Sequence, residues 1–306
     1  MTISTFFAAE RSRTDLGAIQ TRLADLQRQV ASGYKSDTLS GYGEASGRLL
    51  SVRGILANSE QRASAARTIE PRLSLQAGAL REHSEAISGL RQAVLDAVIN
   101  RDGAALETIA ASRFQQSRTA LSQQYDGAFL FSGERVDASP IRVNTLAELA
   151  ARGDAATAFN TADRPQSFDL GDGEAVNLAP LAGDVAEEFF SVALDLQQFI
   201  DAQGGLGAEL TDAQIATLNA FLPRLEEARV SAGDAEARNG ILQQRVEAVR
   251  IQEEQRVTLF TGTLGRIADA DLADVSARIG VARSQFEAVA TLFSELRDLS
   301  LLNFLR

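Results

Sequence analysis

The sequence predicts a mainly α-helical protein: long N- and C-terminal helices packed as a coiled coil or helical bundle, with a small β-containing inserted outer domain. Three observations carry this expectation. Apolar residues near both ends recur in steps of three and four, the narrow stripe of a coiled coil. Three of the five prolines fall within residues 134–183, where helical periodicity is scarce. The net charge is +3 for residues 1–67, −1 for 68–133, −13 for 134–237 and 0 for 238–306. Balanced ends suit helices that approach other helices, whereas an acidic middle suits a solvated surface.

The first seam runs through Leu16, Ile19, Leu23, Leu26 and Val30 and stops at Ser32-Gly33. Ser40-Gly41-Tyr42-Gly43 then marks a loop. From Glu44, the residues Val52, Ala66, Leu73, Leu80, Ile87 and Val94 share one seven-residue register, with Ser59 its polar member. Pro71 is expected to kink or divide this run. A third helix is expected from Ala104 to about Tyr125, after the turn Asn100-Arg101-Asp102-Gly103. The period then changes. Ala128-Phe129-Leu130-Phe131 before Ser132-Gly133 reads as a short strand. Thr145–Ala151 keeps a helical pattern, and Phe168–Leu170 with Ala175–Leu178 flank Gly171-Asp172-Gly173-Glu174 as a hairpin.

Helix returns over Asp184–Ala202 and breaks at Gly204-Gly205-Leu206-Gly207. Thr211 is placed to cap the next helix, and Pro223 to interrupt it. A long charged helix covers Ala235 to about Thr261. The final helix carries the second seam, Val275, Ile279, Ala282, Phe286, Val289, Phe293 and Leu296, followed by an apolar tail that includes Leu299, Leu302 and Leu305. Seams this narrow are poorly buried by one partner, so these residues are expected to meet other chains as well as each other. The expected domains are 1–45, 46–133, 134–183, 184–265 and 266–306.

Several classes of function are disfavoured. The chain has no cysteine and no tryptophan, and a single histidine, His83. Thiolate metal sites and cysteine nucleophiles are therefore excluded, and no cofactor or metal is expected. There is no basic patch to release phosphate counterions, so no nucleic acid is expected as a partner. No apolar stretch is long enough for membrane insertion, and the N-terminus does not read as a cleaved signal. Asp269, Asp271 and Asp274 are better placed to offset a helix N-terminus than to hold a cation. Gly41-Tyr42-Gly43 and Gly171-Asp172-Gly173 complete no phosphate cradle. His83 reads as a surface or seam-flanking residue without a catalytic partner. The pairs Glu187-Glu188, Glu226-Glu227 and Glu253-Glu254 read as solvated surface.

Motifs at both ends carry a resemblance. Met1–Thr5, the first seam and Ala31-Ser32-Gly33-Tyr34-Lys35 are similar to the N-terminus of the flagellin superfamily, and Ile267–Ala273 resembles the acidic segment opening its C-terminal helix. Phe129-Leu130-Phe131-Ser132-Gly133 with Pro140, and Leu299–Leu305, resemble the branch of hook–filament junction proteins. Ser36–Gly43 departs from the family pattern. The resemblance implies a non-enzymatic structural subunit of the bacterial flagellum, extracellular, and exported without a cleaved signal. Its implied partners are copies of itself in a ring or helical assembly, an adjacent hook-associated protein, flagellin, and a cytoplasmic export chaperone on the C-terminal helix. A filament-forming flagellin is the alternative. A cytoplasmic helical chaperone or coiled-coil protein would explain the heptads but not the β insertion.

Overall fold

The computed structural model describes residues 2–169 and 175–304. Its helices and strands follow in the order α1 (Thr2–Ser32), α2 (Ser46–Asn100), α3 (Leu106–Leu121), β1 (Gln124–Tyr125), β2 (Ala128–Phe129), α4 (Leu146–Arg152), β3 (Ser167–Asp169), β4 (Ala175–Asn177), α5 (Ala182–Ala202), α6 (Asp212–Ala268) and α7 (Leu272–Phe304). The protein is mainly helical with two small antiparallel sheets, β1–β2 and β3–β4. The chain divides into two compact units, Met1–Ser59 with Gln255–Arg306, and Glu60–Glu254.

In the Glu60–Glu254 unit, α2 and α6 form an antiparallel pair whose register is written in polar contacts. Arg62 meets Glu253 at 3.7 Å, Arg250 meets Glu70 at 2.6 Å, Arg81 meets Glu236 at 3.7 Å, and Arg91 meets Glu226 at 3.3 Å. Between them, the side-chain amides of Asn239 and Gln243 both donate to the Leu73 carbonyl, at 3.0 and 2.7 Å. Thr211 and Gln214 cap α6 reciprocally: Gln214 N donates to Thr211 Oγ1 at 3.3 Å, and Thr211 N to Gln214 Oε1 at 2.9 Å.

From Ser59 onward the seven-residue register of α2 is its inner stripe, for Ser59, Ala66, Leu73, Leu80, Ile87 and Val94 are all buried, while Val52 at its start is partly buried. Neither Pro71 nor Pro223 ends its helix. Both prolines lie on exposed faces. The missing amide and the carbonyl freed one turn earlier are therefore left to water instead of to the core, and each helix continues.

The core of this unit is aromatic. Phe190 has Phe114 at 4.7 Å, Phe159 at 5.1 Å and Phe189 at 6.1 Å between ring centroids. Residues of the 134–183 segment feed it: Ile141, Val143, Leu146, Leu149 and Ala158 are buried in the same cluster as α2, α3 and α5. Phe168, Val176 and Leu178 from the β3–β4 hairpin pack on Ala66, Ile69, Leu73, Leu242 and Val246. The two strands pair antiparallel, as a hairpin requires, with Phe168 opposite Val176; the expected turn at 171–174 lies outside the described residues.

The expected third helix stops early. It ends at Leu121, and Gln124–Tyr125 turns back onto Ala128–Phe129. Asp126 and Gly127 both have positive φ, 52° and 76°, the pair of left-handed residues that a tight type I′ hairpin needs. The expected four-residue strand is cut to two, and Leu130 and Phe131 dive into the core. At Gly133, with φ 69°, a Cβ would collide with the Arg164 carbonyl. That close approach lets Glu134 N donate to the same carbonyl at 3.1 Å.

Two further expectations are corrected here. His83 is wholly buried, not on the surface, because α3 and α5 close over that face of α2. Glu253 is buried rather than solvated, since it faces Arg62 across the α2–α6 pair.

Candidate subunit-assembly surface

In the unit of Met1–Ser59 and Gln255–Arg306, the two sequence seams meet. Leu26, Val275 and Ala282 are buried against one another, with Leu23, Ala270 and Ile279 packed around them. The end of α1 adjoins the start of α7, for Ala270 N donates to the Gly33 carbonyl at 2.8 Å and Tyr34 bridges to Asp269. The two helices therefore run antiparallel. The rest of the two seams is less well covered. Leu16, Ile19, Phe286, Val289 and Phe293 are only partly buried, and Val30 is 43% exposed. Leu296, Leu299 and Leu302 lie beyond the described side chains, and Leu305 lies outside the described residues altogether.

The join between these helices is built from two local signals. Gly33, at φ 76°, closes α1 in the left-handed conformation, and its N donates to the Gln29 carbonyl at 2.9 Å. Asp271 caps α7, its Oδ1 accepting from the amides of Ala273 at 3.0 Å and Asp274 at 3.2 Å. The acidic run thus serves a helix N-terminus, as its spacing indicated.

Lys35 completes the join. Its Nζ donates to the carbonyls of Arg266 and Ile267, both at 2.9 Å, and its backbone N donates to the Ala268 carbonyl at 2.8 Å. With Asp269 N on the Gly265 carbonyl at 2.8 Å, all four carbonyls of the last turn of α6 are satisfied. A cation at this end also opposes the negative pole of the helix dipole. Lys35 is the sole lysine among thirty basic residues, the rest being arginine. Its ammonium can turn to meet two successive carbonyls, which a rigid guanidinium fork does less readily.

This unit also carries most of the exposed large apolar side chains. Of fourteen large apolar side chains that stand exposed among the described residues, ten belong to this unit, the smaller of the two. Leu50, Leu259, Val281 and Leu292 are each more than half exposed. The heptad stripe does not include them. The signal that could have found them is the second apolar row on α7, where Val281 and Leu292 lie three turns apart and so share a face. This concentration of exposed apolar side chains on one unit makes it the candidate interaction surface.

In the other unit, one buried pair of side chains has the geometry of a chemical couple. The geometry closest to a catalytic pair is His83 Nδ1, 2.7 Å from Ser117 Oγ. The other ring nitrogen, Nε2, is 3.3 Å from the Val185 carbonyl, which can only accept. The ring proton therefore sits on Nε2, and Ser117 donates to Nδ1. Both residues are fully buried, and Phe189 packs edge-on against the ring at 5.7 Å. Burial pushes the His83 pKa down to about 4, against a smaller upward pull from the Val185 carbonyl. A neutral, sealed imidazole that ties α2 to α3 and α5 is a structural element. Among the described residues, no three His, Cys, Asp or Glu are grouped to hold a metal ion. No helix there is long and apolar enough to cross a membrane.

The fold is that of flagellar hook-associated proteins. A structure described as a flagellar hook-associated protein from Vibrio parahaemolyticus superposes with a TM-score of 0.58 at 16% identity, covering 75% of this chain and 100% of that one. FlgL of Bacillus cereus superposes with a TM-score of 0.57 at 12% identity, covering 71% of this chain and 100% of FlgL. No family sequence model and no curated protein sequence matches the chain.

Proposed function

We propose that this chain is a non-enzymatic structural subunit of the bacterial flagellum, and specifically a subunit of the junction between hook and filament. The observation that carries the reading is the shared fold with two hook-associated proteins, found together with an apolar surface concentrated on the unit that holds both chain ends. The motifs Phe129–Gly133 and Leu299–Leu305 support the junction branch over flagellin itself. In this role the seam residues from Leu16 to Val30 and from Val275 to Leu305 close the α1–α7 pair on one side and meet neighbouring subunits on the other. The partners are further copies of the chain, an adjacent hook-associated protein and flagellin. An export chaperone covers the C-terminal helix before secretion, which proceeds without a cleaved signal.

Gold-labelled antibodies on intact flagella test this. Label confined to the hook–filament boundary is the expected result. Label along the whole filament would replace the junction reading with a flagellin. Protein found only in the cytosol of a flagellated cell would overturn both and favour a cytoplasmic helical chaperone.

A further inference from the structure

The break between α6 and α7 carries a cap signal at Asp271 but no residue that forbids a helix. Residues 266–274 read Arg-Ile-Ala-Asp-Ala-Asp-Leu-Ala-Asp, without proline or glycine. Alanine, leucine and arginine are among the strongest helix formers, and nothing in this run forbids a helix from continuing through it. A continuous helix would place the amide of Ala270 on the Arg266 carbonyl, Asp271 on Ile267 and Leu272 on Ala268. In the structure, each of these three pairings is replaced by a bond to the turn after α1. The Arg266 and Ile267 carbonyls accept from Lys35 Nζ, the Ala268 carbonyl accepts from Lys35 N, and the Ala270 amide donates to the Gly33 carbonyl. On the far side of the break, Asp271 Oδ1 takes up the amides of Ala273 and Asp274.

We infer that Lys35 is the latch of a two-state element: with the 33–35 turn docked, α6 and α7 are separate helices, and with it displaced they fuse through residues 269–271 into one helix. The two sets of hydrogen bonds compete for the same three carbonyls, so the element is bistable, not gradually deformable. Fusion becomes favourable when α1 leaves α7, because the carbonyls of Arg266, Ile267 and Ala268 then lose their donors and the nearest replacements are their own chain's amides. Gly33 is part of the latch, since its positive φ aims its carbonyl at Ala270, and a branched side chain there is strained whatever the space. The position of the N-terminal helix thus decides whether the C-terminal helix is a separate piece.

Amide hydrogen exchange of the full chain, resolved at Asp271 and Leu272, tests it. In the native protein both amides sit at a helix start without an acceptor one turn back, and should exchange fast. Lys35→Met removes the ammonium and keeps its stem, and combining it with Gly33→Val opens the turn. In the double variant both amides should slow by about tenfold or more while residues 262–268 and 275–279 stay protected, with Lys35→Met alone intermediate. Asp271→Ala removes only the cap and should leave both amides fast. The inference is overturned if Asp271 and Leu272 stay fast in the double variant, with or without loss of protection in their flanks. It is also overturned if Asp271→Ala alone slows them, since the cap and not the latch would then make the break.

Discussion

His83 shows how a single side chain can hold a unit together and set its acid tolerance. Its imidazole is neutral, buried and bonded on both nitrogens, with a folded pKa near 4 against an ordinary value of 6.5. The unfolded chain therefore binds a proton between those two values that the folded chain refuses. The stabilisation is complete above pH 6.5 and is lost as the pH falls toward 4. Its size follows from the shift, on the order of 3 kcal/mol. Urea unfolding of the native chain and of His83→Gln, run from pH 7 to pH 4, should show this acid slope only in the native chain. Equal slopes would mean that His83 titrates normally. The burial was not legible in the sequence, where Arg81, Glu82, Ser84 and Glu85 surround it. What buries it is Ser117 on α3 and Val185 on α5, and no local pattern reports contacts at that separation.

At the scale of the element, Pro71 was expected to kink or divide α2 and Pro223 to interrupt α6, and neither helix is divided. The register was legible, because the residues from Ser59 to Val94 that share it are the ones buried. The prolines misled because a rule about helix interiors says nothing of which face the ring occupies. On an exposed face the loss is one hydrogen bond replaced by water, and the helix bears the cost. Pro71→Ala restores the amide and should raise stability to urea by about 2 kcal/mol, the helix-interior penalty less the entropy that proline removes from the unfolded chain. An unchanged or lower midpoint would indicate that a bend at Pro71 is needed for the α2–α6 contacts. The pairing of β3 with β4 was legible from the Gly-Asp-Gly signal in the sequence between them, and β1–β2 was missed although Asp126-Gly127 carries the same signal. There the helical pattern of the preceding residues masked the turn. The Asp271 cap was readable from local spacing, whereas Lys35 acts on carbonyls 231 and 232 residues away.

At the scale of the molecule, the polar register, the aromatic core and the acidic middle segment belong to one unit, and ten of the fourteen exposed large apolar side chains among the described residues belong to the other. The two seams were visible as periodicities, and their antiparallel sense became visible only with the 33–35 turn in place. Substitutions on α7 should divide accordingly. Val281→Glu and Leu292→Glu alter exposed positions and should leave the monomer's circular dichroism and unfolding midpoint within about 0.5 kcal/mol of native. Incorporation into flagella of a complemented strain should nonetheless fail. Phe286→Glu lies on the partly buried seam and should weaken the α1–α7 pair in the monomer as well. Normal incorporation of Val281→Glu and Leu292→Glu would remove that face from the proposed interface.

The solitary lysine has one more consequence. A protease that cuts only after lysine has one internal bond to find in 306 residues, Lys35–Ser36, and cutting it severs α1 from everything else. While the ammonium is bonded to Arg266 and Ile267 it is withheld from the protease pocket, so the cutting rate clocks the opening of the turn. Once the bond is cut, α1 and α7 hold each other without a covalent tie, through Leu23, Leu26, Val275 and Ala282 and through the bonds that Gly33 and Lys35 make to residues 266–270. An association hidden inside one folded chain then becomes a reaction between two peptides, with a dissociation constant that can be weighed against that of any neighbouring subunit.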